Sequence, residues 1–337
     1  MKKILIFTSS LIAYLAFAQT YNNGGLSTGN TSKSGMTAPA GYTWSEVQSN
    51  TGNTTESNTS SGFSGSYISS INNYFVADDF TIPPGANWQI NSIDFFAYQS
   101  GYSGETSPFN IVRVNIFNAD PSFAGAASVF GNDTTNRFIS SEDSKMYRIF
   151  NSSVPYPGST PGTTRKIWKV KANIGTILSP GTYWIKYQLQ NATSTANFLP
   201  SVTIPGSRGL ASFNAKQLNA VSGIWTSIID EGNPETAPNY TVDMPFVITF
   251  TSTMGVNEIL QYDNRVQVYP NPVKNNFKIN NPDKFKIDTL EIIDNAGRIV
   301  KTLKASDEYD VSSLEKGIYF LKIKNDGIMK VTKLIKE

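Results

Sequence analysis

The fold class follows from residues 183–190, Tyr183-Trp184-Ile185-Lys186-Tyr187-Gln188-Leu189-Gln190, whose side chains alternate in character. The odd-numbered residues are aromatic or apolar, whereas the even-numbered ones are polar apart from Trp184. Because successive side chains of a strand point to opposite faces, this pattern predicts a strand with one face in a core and the other toward solvent.

Runs of the same kind recur at 88–99, 110–117 and 244–250, and turn sequences such as Pro180-Gly181 separate them. Many alternating strands joined by turns are typical of an antiparallel sandwich. The sequence therefore predicts an all-β fold in which residues 42–250 form a large antiparallel β-sandwich of jelly-roll-like form.

The N-terminus has the order of parts of a secretory signal over residues 1–18. Lys2 and Lys3 precede an apolar run, and Ala16-Phe17-Ala18 is a small-x-small site that predicts cleavage between Ala18 and Gln19. The run is shorter than the roughly 20 residues that a membrane span needs, so no transmembrane segment is expected in the mature chain. Residues 19–41, rich in Gly, Ser, Thr and Asn, are expected to be a flexible lead-in, and residues 49–62 to resemble them.

Composition changes near residue 259. All five Trp precede this point, whereas Lys is concentrated after it. Residues 251–264 are therefore predicted to be a linker. Several short alternating runs over 265–337, with turn signals such as Asp326-Gly327, predict a small Ig-like β-sandwich.

The chain contains no His and no Cys. Catalytic triads that rely on His, His-ligated transition metals and disulfides are therefore excluded, whereas carboxylate chemistry, Ser-Lys chemistry and oxygen-ligated Ca²⁺ are not. The net charge of +2 gives no reason to expect nucleic acid as a partner.

Four sequence elements mark the C-terminal region. They are Val268-Tyr269-Pro270-Asn271-Pro272, then Ile293-Asp294-Asn295-Ala296-Gly297-Arg298, then 314–323 with Gly317 and Tyr319, and finally Lys333-Leu334-Ile335-Lys336. In order and spacing they resemble the type A sorting domain of the type IX secretion system of Bacteroidetes, over residues 266–337.

This resemblance implies a partner and a destination. The expected partners are the type IX secretion machinery and its sortase-like peptidase, which removes such domains, together with surface lipopolysaccharide. The expected location of the remaining protein, here called the passenger, is secreted or attached to the outer-membrane surface.

The passenger also carries a second resemblance. Residues 73–83, which include Ala77-Asp78-Asp79-Phe80, together with Trp88-Gln89-Ile90 and Pro180-Gly181-Thr182, resemble the "ADDF" β-sandwich of secreted bacterial proteins. That family implies a fold and no activity.

Three acidic pairs are the candidates for chemistry. Asp78 and Asp79 are adjacent on a predicted strand, so their carboxylates are expected to point to opposite faces. A structural pair and a Ca²⁺ ligand are both open for them, although no calcium motif is present and no cofactor is predicted. Glu142-Asp143 and Asp230-Glu231 would serve a glycosidase only if they met across a cleft, and solvated loops are the alternative.

Trp184 is the candidate for ligand binding, because it falls on the polar face of its strand. An exposed Trp beside amides suits stacking against a sugar; burial under a loop is the alternative. The other four Trp are predicted to lie in the core.

With no catalytic motif found, the leading hypothesis is a non-catalytic binding module for a glycan or another surface component. The alternatives are a secreted hydrolase that depends on carboxylates or Ca²⁺, and a structural surface or matrix protein.

Overall fold

The computed structural model of the protein describes residues 18–154, 160–193, 196–254, 267–280, 287, 289–294, 299–325 and 328–337. The chain divides into two compact units, Met1–Thr253 and Met254–Glu337, called here the passenger and the tail. All long regular structure in the described ranges is strand, so the predicted all-β class is confirmed. None of these residues belongs to a helix with the length and hydropathy of a membrane span. Residues 1–17 of the predicted signal lie outside them.

The strands of the passenger follow one another with short connections. In chain order they are β1 (Ala18–Asn22), β2 (Thr43–Glu46), β3 (Ser57–Asn58), β4 (Phe63–Ser64), β5 (Tyr67–Ser69), β6 (Asn72–Ile82), β7 (Ala86–Ala97), β8 (Phe109–Phe117), β9 (Ser128–Asn132), β10 (Phe138–Ile149), β11 (Lys166–Leu178), β12 (Gly181–Asn191), β13 (Phe198–Leu199), β14 (Lys216–Asn219), β15 (Ile224–Ser227), β16 (Ile229–Asp230), β17 (Gly232–Asn233), β18 (Tyr240–Thr241) and β19 (Phe246–Met254).

Two large sheets form the sandwich. Sheet A has the strand order β1-β19-β7-β11-β10-β2, and sheet B has the order β15-β14-β6-β12-β8-β9, with β5 also paired to β6. The pairs β1-β19, β7-β11 and β11-β10 of sheet A and the pairs of sheet B are antiparallel, whereas β10 and β2 run parallel. The predicted antiparallel sandwich is therefore confirmed in its main sheets, with one parallel pair at the edge of sheet A.

The core lies between the sheets and explains the alternation in the sequence. On β12, Ile185, Tyr187 and Leu189 point into it, as the pattern predicts. The Tyr187 ring stacks on Phe95 of sheet A, with the ring centroids 4.2 Å apart. Each large apolar side chain buried in this way contributes roughly 1.5–3 kcal/mol.

The N-terminal segment is ordered, which corrects the predicted flexible lead-in over 19–41. Strand β1, which includes Gln19, pairs with β19 at the edge of sheet A. Leu26 is buried, and the carbonyl of Gly25 accepts a 2.9 Å hydrogen bond from the amide of Thr203. Polar composition misled the prediction because this segment is held mainly by backbone hydrogen bonds, which composition does not record.

Two further boundaries differ from the prediction. Within residues 49–62, Ser57 and Asn58 form β3, are buried and pair with β17. At the other end of the passenger β19 continues to Met254, so residues 251–254 are strand rather than linker. The rest of the predicted linker lies outside the described residues.

The tail is a small two-sheet sandwich, as predicted. Its strands are β20 (Gln267–Tyr269), β21 (Asn276–Asn280), β22 (Thr289–Ile293), β23 (Ile299–Lys304), β24 (Tyr309–Asp310), β25 (Gly317–Asn325) and β26 (Ile328–Lys336). One sheet has the order β20-β21-β24 and the other β23-β22-β25-β26. Phe277 and Leu321, one from each sheet, belong to a single buried cluster. The predicted turn at Asp326-Gly327 lies outside the described residues.

The packing of the N-terminal segment gives a stability prediction. Leu26 is 4% exposed and Leu210 is 50% exposed. We expect Leu26→Ala to lower the free energy of unfolding by about 2–3 kcal/mol, because it removes buried methyl groups and leaves a cavity. The matched change Leu210→Ala should cost less than about 0.5 kcal/mol. Urea denaturation measures both, and equal effects would show that the segment does not pack against the sandwich.

Candidate functional site

Trp184 is buried, which corrects the expectation that it is exposed for sugar stacking. It lies on the outer face of sheet B, opposite Ile185, but only 7% of its surface is accessible. The ammonium of Lys216 lies 5.9 Å from the centroid of a Trp184 ring. That ammonium is held by the carboxylate of Asp120 and by the hydroxyl of Ser122, which lies 2.7 Å away. The side chain that the sequence marked for ligand contact is thus covered.

The other tryptophans follow the prediction with one exception. Trp44, Trp88 and Trp168 are buried, which confirms that part of the prediction. Trp225 is only partly buried and lies on the edge strand β15.

Asp78 and Asp79 point to opposite faces of β6, as expected. Asp78 shares the inner face with Phe80 and has no exposed surface. Its two carboxylate oxygens accept hydrogen bonds from the amide of Met244 (2.6 Å), the side chain of Asn23 (3.0 Å) and the amide of Asp79 (2.9 Å). Asp78 therefore ties β6 to the segments that follow β1 and precede β19.

A third carboxylate lies near this pair. Asp243 accepts a 2.7 Å hydrogen bond from the amide of Asn214. Burial raises the pKa of Asp243 to about 6, and the negative charge of Asp79 adds to that rise. Burial, followed by the charge of Asp243, also raises the pKa of Asp78 well above its usual range. Such shifts mark functional sites and structural clusters alike; here the fully buried Asp78 carboxylate fits a structural role.

The other two acidic pairs lie elsewhere and have partners of their own. Glu142 pairs with Lys169 at 2.5 Å, and Asp143 pairs with Lys145 at 3.0 Å. Both acids lie on β10 of sheet A. Glu142-Asp143 is thus not brought together with the pair on β6.

Asp230 is buried beside Arg208. Its carboxylate accepts hydrogen bonds from the side chains of Asn58 (2.5 Å) and Arg208 (3.3 Å), while Glu231 is exposed. Burial raises the pKa of Asp230, and the Arg208 charge opposes that rise. Among the described residues, moreover, no three acidic side chains are grouped in a way that could hold a metal ion. The three predicted acidic pairs therefore lie in separate surroundings: on β6, on β10 and beside Arg208.

A depression in the passenger brings together a different set of side chains. Its volume is about 230 Å³. It is lined by hydroxyl groups, aromatic rings and one guanidinium group, from Thr59, Ser60, Ser61, Gly62, Tyr98, Ser100, Phe150, Arg165 and Phe198. No carboxylate is among the lining residues. Five separate segments of the chain meet there.

Backbone pairing places these segments. Tyr98 and Phe198 exchange two backbone hydrogen bonds of 2.9 Å, and their rings stack with centroids 5.7 Å apart. Gly62 permits the close approach of its segment, because a Cβ there would lie 2.7 Å from the Tyr98 hydroxyl oxygen. The Ser61 and Tyr98 hydroxyls are hydrogen-bonded at 2.8 Å. The floor of the depression is thus fixed.

Arg148 anchors this floor from inside the protein. Its guanidinium donates hydrogen bonds to the Ser61 carbonyl (2.7 Å) and to the hydroxyls of Thr203 (2.7 Å), Ser45 (3.0 Å) and Ser201 (3.1 Å). Burial lowers the pKa of Arg148 to about 10, so the group stays protonated at neutral pH. Burying a cation destabilises the folded state unless the cation is hydrogen-bonded. Four neutral oxygens accept the hydrogen bonds of Arg148.

A second guanidinium borders the depression. Arg165 precedes β11, and its guanidinium carbon lies 5.0 Å from the centroid of the Phe150 ring. The backbone carbonyl of Arg165 accepts a 2.9 Å hydrogen bond from the amide of Arg148. Burial raises the pKa of Tyr98, whereas its hydrogen bond with Ser61 and the charges of the two arginines oppose that rise.

Sequence reasoning missed Arg148, Arg165 and the whole depression. The available signal was weak: Arg148 stands between Tyr147 and Ile149 near the end of β10, a strand that already holds Glu142, Asp143 and Lys145.

The sorting residues of the tail meet at one end of its sandwich. The side chain of Asn271 donates to the carbonyl of Lys333 (2.8 Å) and accepts from the amide of Ile335 (2.8 Å). Leu334, which stands between Lys333 and Ile335 in the sequence, is buried, whereas Tyr269 is exposed. Asn271 thus joins the first of the four sequence elements to the last.

Residues 267–337 match the family model described as the secretion system C-terminal sorting domain. The search of curated proteins found no match to the chain. The family match supports the predicted type IX sorting tail, and with it an interaction with that secretion machinery and secretion or attachment to the cell surface. It does not extend to residues 42–250, where the resemblance to the "ADDF" sandwich stays a prediction.

The carboxylate cluster gives a pH prediction. The pKa of Asp243 is raised in the folded state, from an ordinary 3.8 to about 6. Stability from this group is therefore fully present below about pH 4 and is lost as the pH rises through about 6. We expect the wild type to lose about 1–2 kcal/mol of unfolding free energy between pH 4 and 7 through this partly exposed group, and Asp243→Asn to lack that loss.

Urea denaturation at pH 4, 5, 6 and 7 measures this dependence. Glu105→Gln, at an exposed acid of the passenger, is the control and should follow the wild type. An Asp243→Asn profile parallel to that of the wild type would contradict the assignment.

Proposed function

We propose that the chain is an exported protein whose passenger binds a glycan without catalysis, in the depression beside Tyr98 and Arg165. The observation that carries this proposal is the lining: two phenylalanine rings, several hydroxyls and one guanidinium, with no carboxylate. Aromatic rings suit the C–H faces of sugars, and hydroxyls and guanidinium groups suit their oxygens.

The size of the depression fits a small group. A volume of about 230 Å³ corresponds to about eight water molecules at ~30 Å³ each. This is room for one sugar unit rather than for a long stretch of polymer. Binding of a terminal or protruding unit of a surface polysaccharide is the mode that we propose.

The hydrolase alternative receives less support from the same geometry. A glycosidase needs two carboxyl groups roughly 5–10 Å apart across a cleft, and the lining residues include none. The passenger is therefore proposed as a binding module, and the structural-protein alternative is left to the experiment below.

The tail has a separate role in the proposal. It delivers the passenger to the type IX machinery, where a sortase-like peptidase removes it. The passenger is then released or joined to surface lipopolysaccharide. The independent buried cluster of the tail supports this division, because the tail has a core of its own.

Binding of polysaccharides to purified residues 19–337 tests the proposal. We expect retention of at least one polysaccharide on an array, and about a tenfold loss of affinity in Phe150→Ala, because the change removes a ring from the depression. Phe123→Ala is the matched control, since Phe123 is 67% exposed and lies near Lys216 on the outer face of sheet B.

Two results would contradict the proposal. The first is that no polysaccharide is retained while the protein associates with itself, which would favour a structural role. The second is that Phe123→Ala abolishes binding and Phe150→Ala does not, which would place the site on the outer face of sheet B.

A further inference from the structure

We infer that the sugar bound in this depression carries an acid group, and that Arg165 is the residue that binds this group. The inference rests on the proposed glycan-binding function and adds the chemical class of the ligand. It is argued from the surroundings of the Arg165 guanidinium.

Several cations of the passenger have a carboxylate partner, whereas Arg165, like Arg137, has none among the described residues. Lys171 pairs with Asp94 at 2.7 Å, and Lys186 pairs with Asp133 at 2.8 Å. Among the described residues, the Arg165 guanidinium contacts the ring of Phe150 and has no ion pair. It is half-buried at the edge of a depression whose lining holds no carboxylate.

A second cation lies near the floor of the depression. Arg148 is protonated, all four of its side-chain hydrogen bonds go to neutral oxygens, and the charge of the buried Asp230 acts on it. The charges of Arg148 and Arg165 both oppose the rise in the pKa of Tyr98. Partly buried charges are screened less than exposed ones, so the depression should attract an anion.

The geometry of the guanidinium favours an oxyanion on a sugar. A planar guanidinium offers parallel N–H donors that match a carboxylate or a sulfate group. The Arg165 guanidinium lies over the Phe150 ring at the edge of the depression. The hydroxyls of Ser60 and Ser100 line the same depression and can bond sugar hydroxyls, while Phe198 offers a ring to an apolar sugar face.

Carboxylated and sulfated sugars share this chemistry, and the probes separate them. Binding to purified residues 19–337 is measured by titration calorimetry with polygalacturonate, methyl-esterified polygalacturonate, dextran sulfate and dextran. The ester keeps the sugar backbone and removes the charge, so this comparison needs no variant. We expect at least tenfold tighter binding of one acidic polymer than of its neutral counterpart.

Variants then assign the effect to Arg165. Arg165→Gln should remove the preference for the acidic polymer, and Arg165→Lys should keep part of it, because Lys retains the charge without the planar fork. Arg137→Gln is the matched control, because the Arg137 guanidinium also lies over a phenylalanine ring, 4.3 Å from the centroid of Phe130. Arg137 precedes β10 and is not among the residues that line the depression.

The outcomes separate the inference from the proposed function. Binding of the charged polymer that is lost in Arg165→Gln and kept in Arg137→Gln supports the inference, and the polymer that is bound identifies the acid group. Equal binding of charged and neutral polymers, still sensitive to Phe150→Ala, would overturn the inference and leave glycan binding in place. Equal loss in Arg165→Gln and Arg137→Gln would also overturn it.

Discussion

The passenger depends on a buried positive charge that is held by neutral hydrogen-bond acceptors, with the charge of the buried Asp230 acting on it as well. Arg148 is 1% exposed, and its guanidinium is satisfied by one carbonyl and three hydroxyls. Transferring a cation from water into a protein interior is unfavourable by several kcal/mol, so these bonds have to be kept together. Because their acceptors come from β2, from the segment before β4 and from residues 201 and 203, one side chain joins three distant parts of the chain.

This constraint connects the fold to the candidate site. The segment that Arg148 holds contains Ser61 and Gly62, which pack against Tyr98 and form the floor of the depression. The same arginine places a positive charge below that floor, and its hydrogen-bond partners are neutral. The shape and the electrostatic character of the depression therefore have a common origin. The tail, in contrast, has a core of its own and a different task, which its family match identifies.

The sequence predicts the sandwich well and the site poorly, for physical reasons. Strand alternation is a local property, so the inner face of β12 with Tyr187 could be identified from eight residues. The depression is built from five segments between residues 59 and 198, and no spacing pattern relates them. The strand face of Trp184 was predicted correctly, but its burial was not. Lys216, which covers the Trp184 ring, comes from another strand, so the spacing along β12 contains no sign of it. The N-terminal segment was mispredicted because its hydrogen bonds go to distant backbone groups.

Amide hydrogen exchange in Arg148→Met measures how far the buried guanidinium holds these segments together. The amides of Thr59, Val202 and Thr203 are hydrogen-bonded in the segments that Arg148 holds, and Val114 and Tyr187 lie in the core of sheet B. We expect exchange at least tenfold faster at the first three amides, with little change at the last two. Unchanged exchange at all five amides, or equal acceleration at all five, would contradict this expectation.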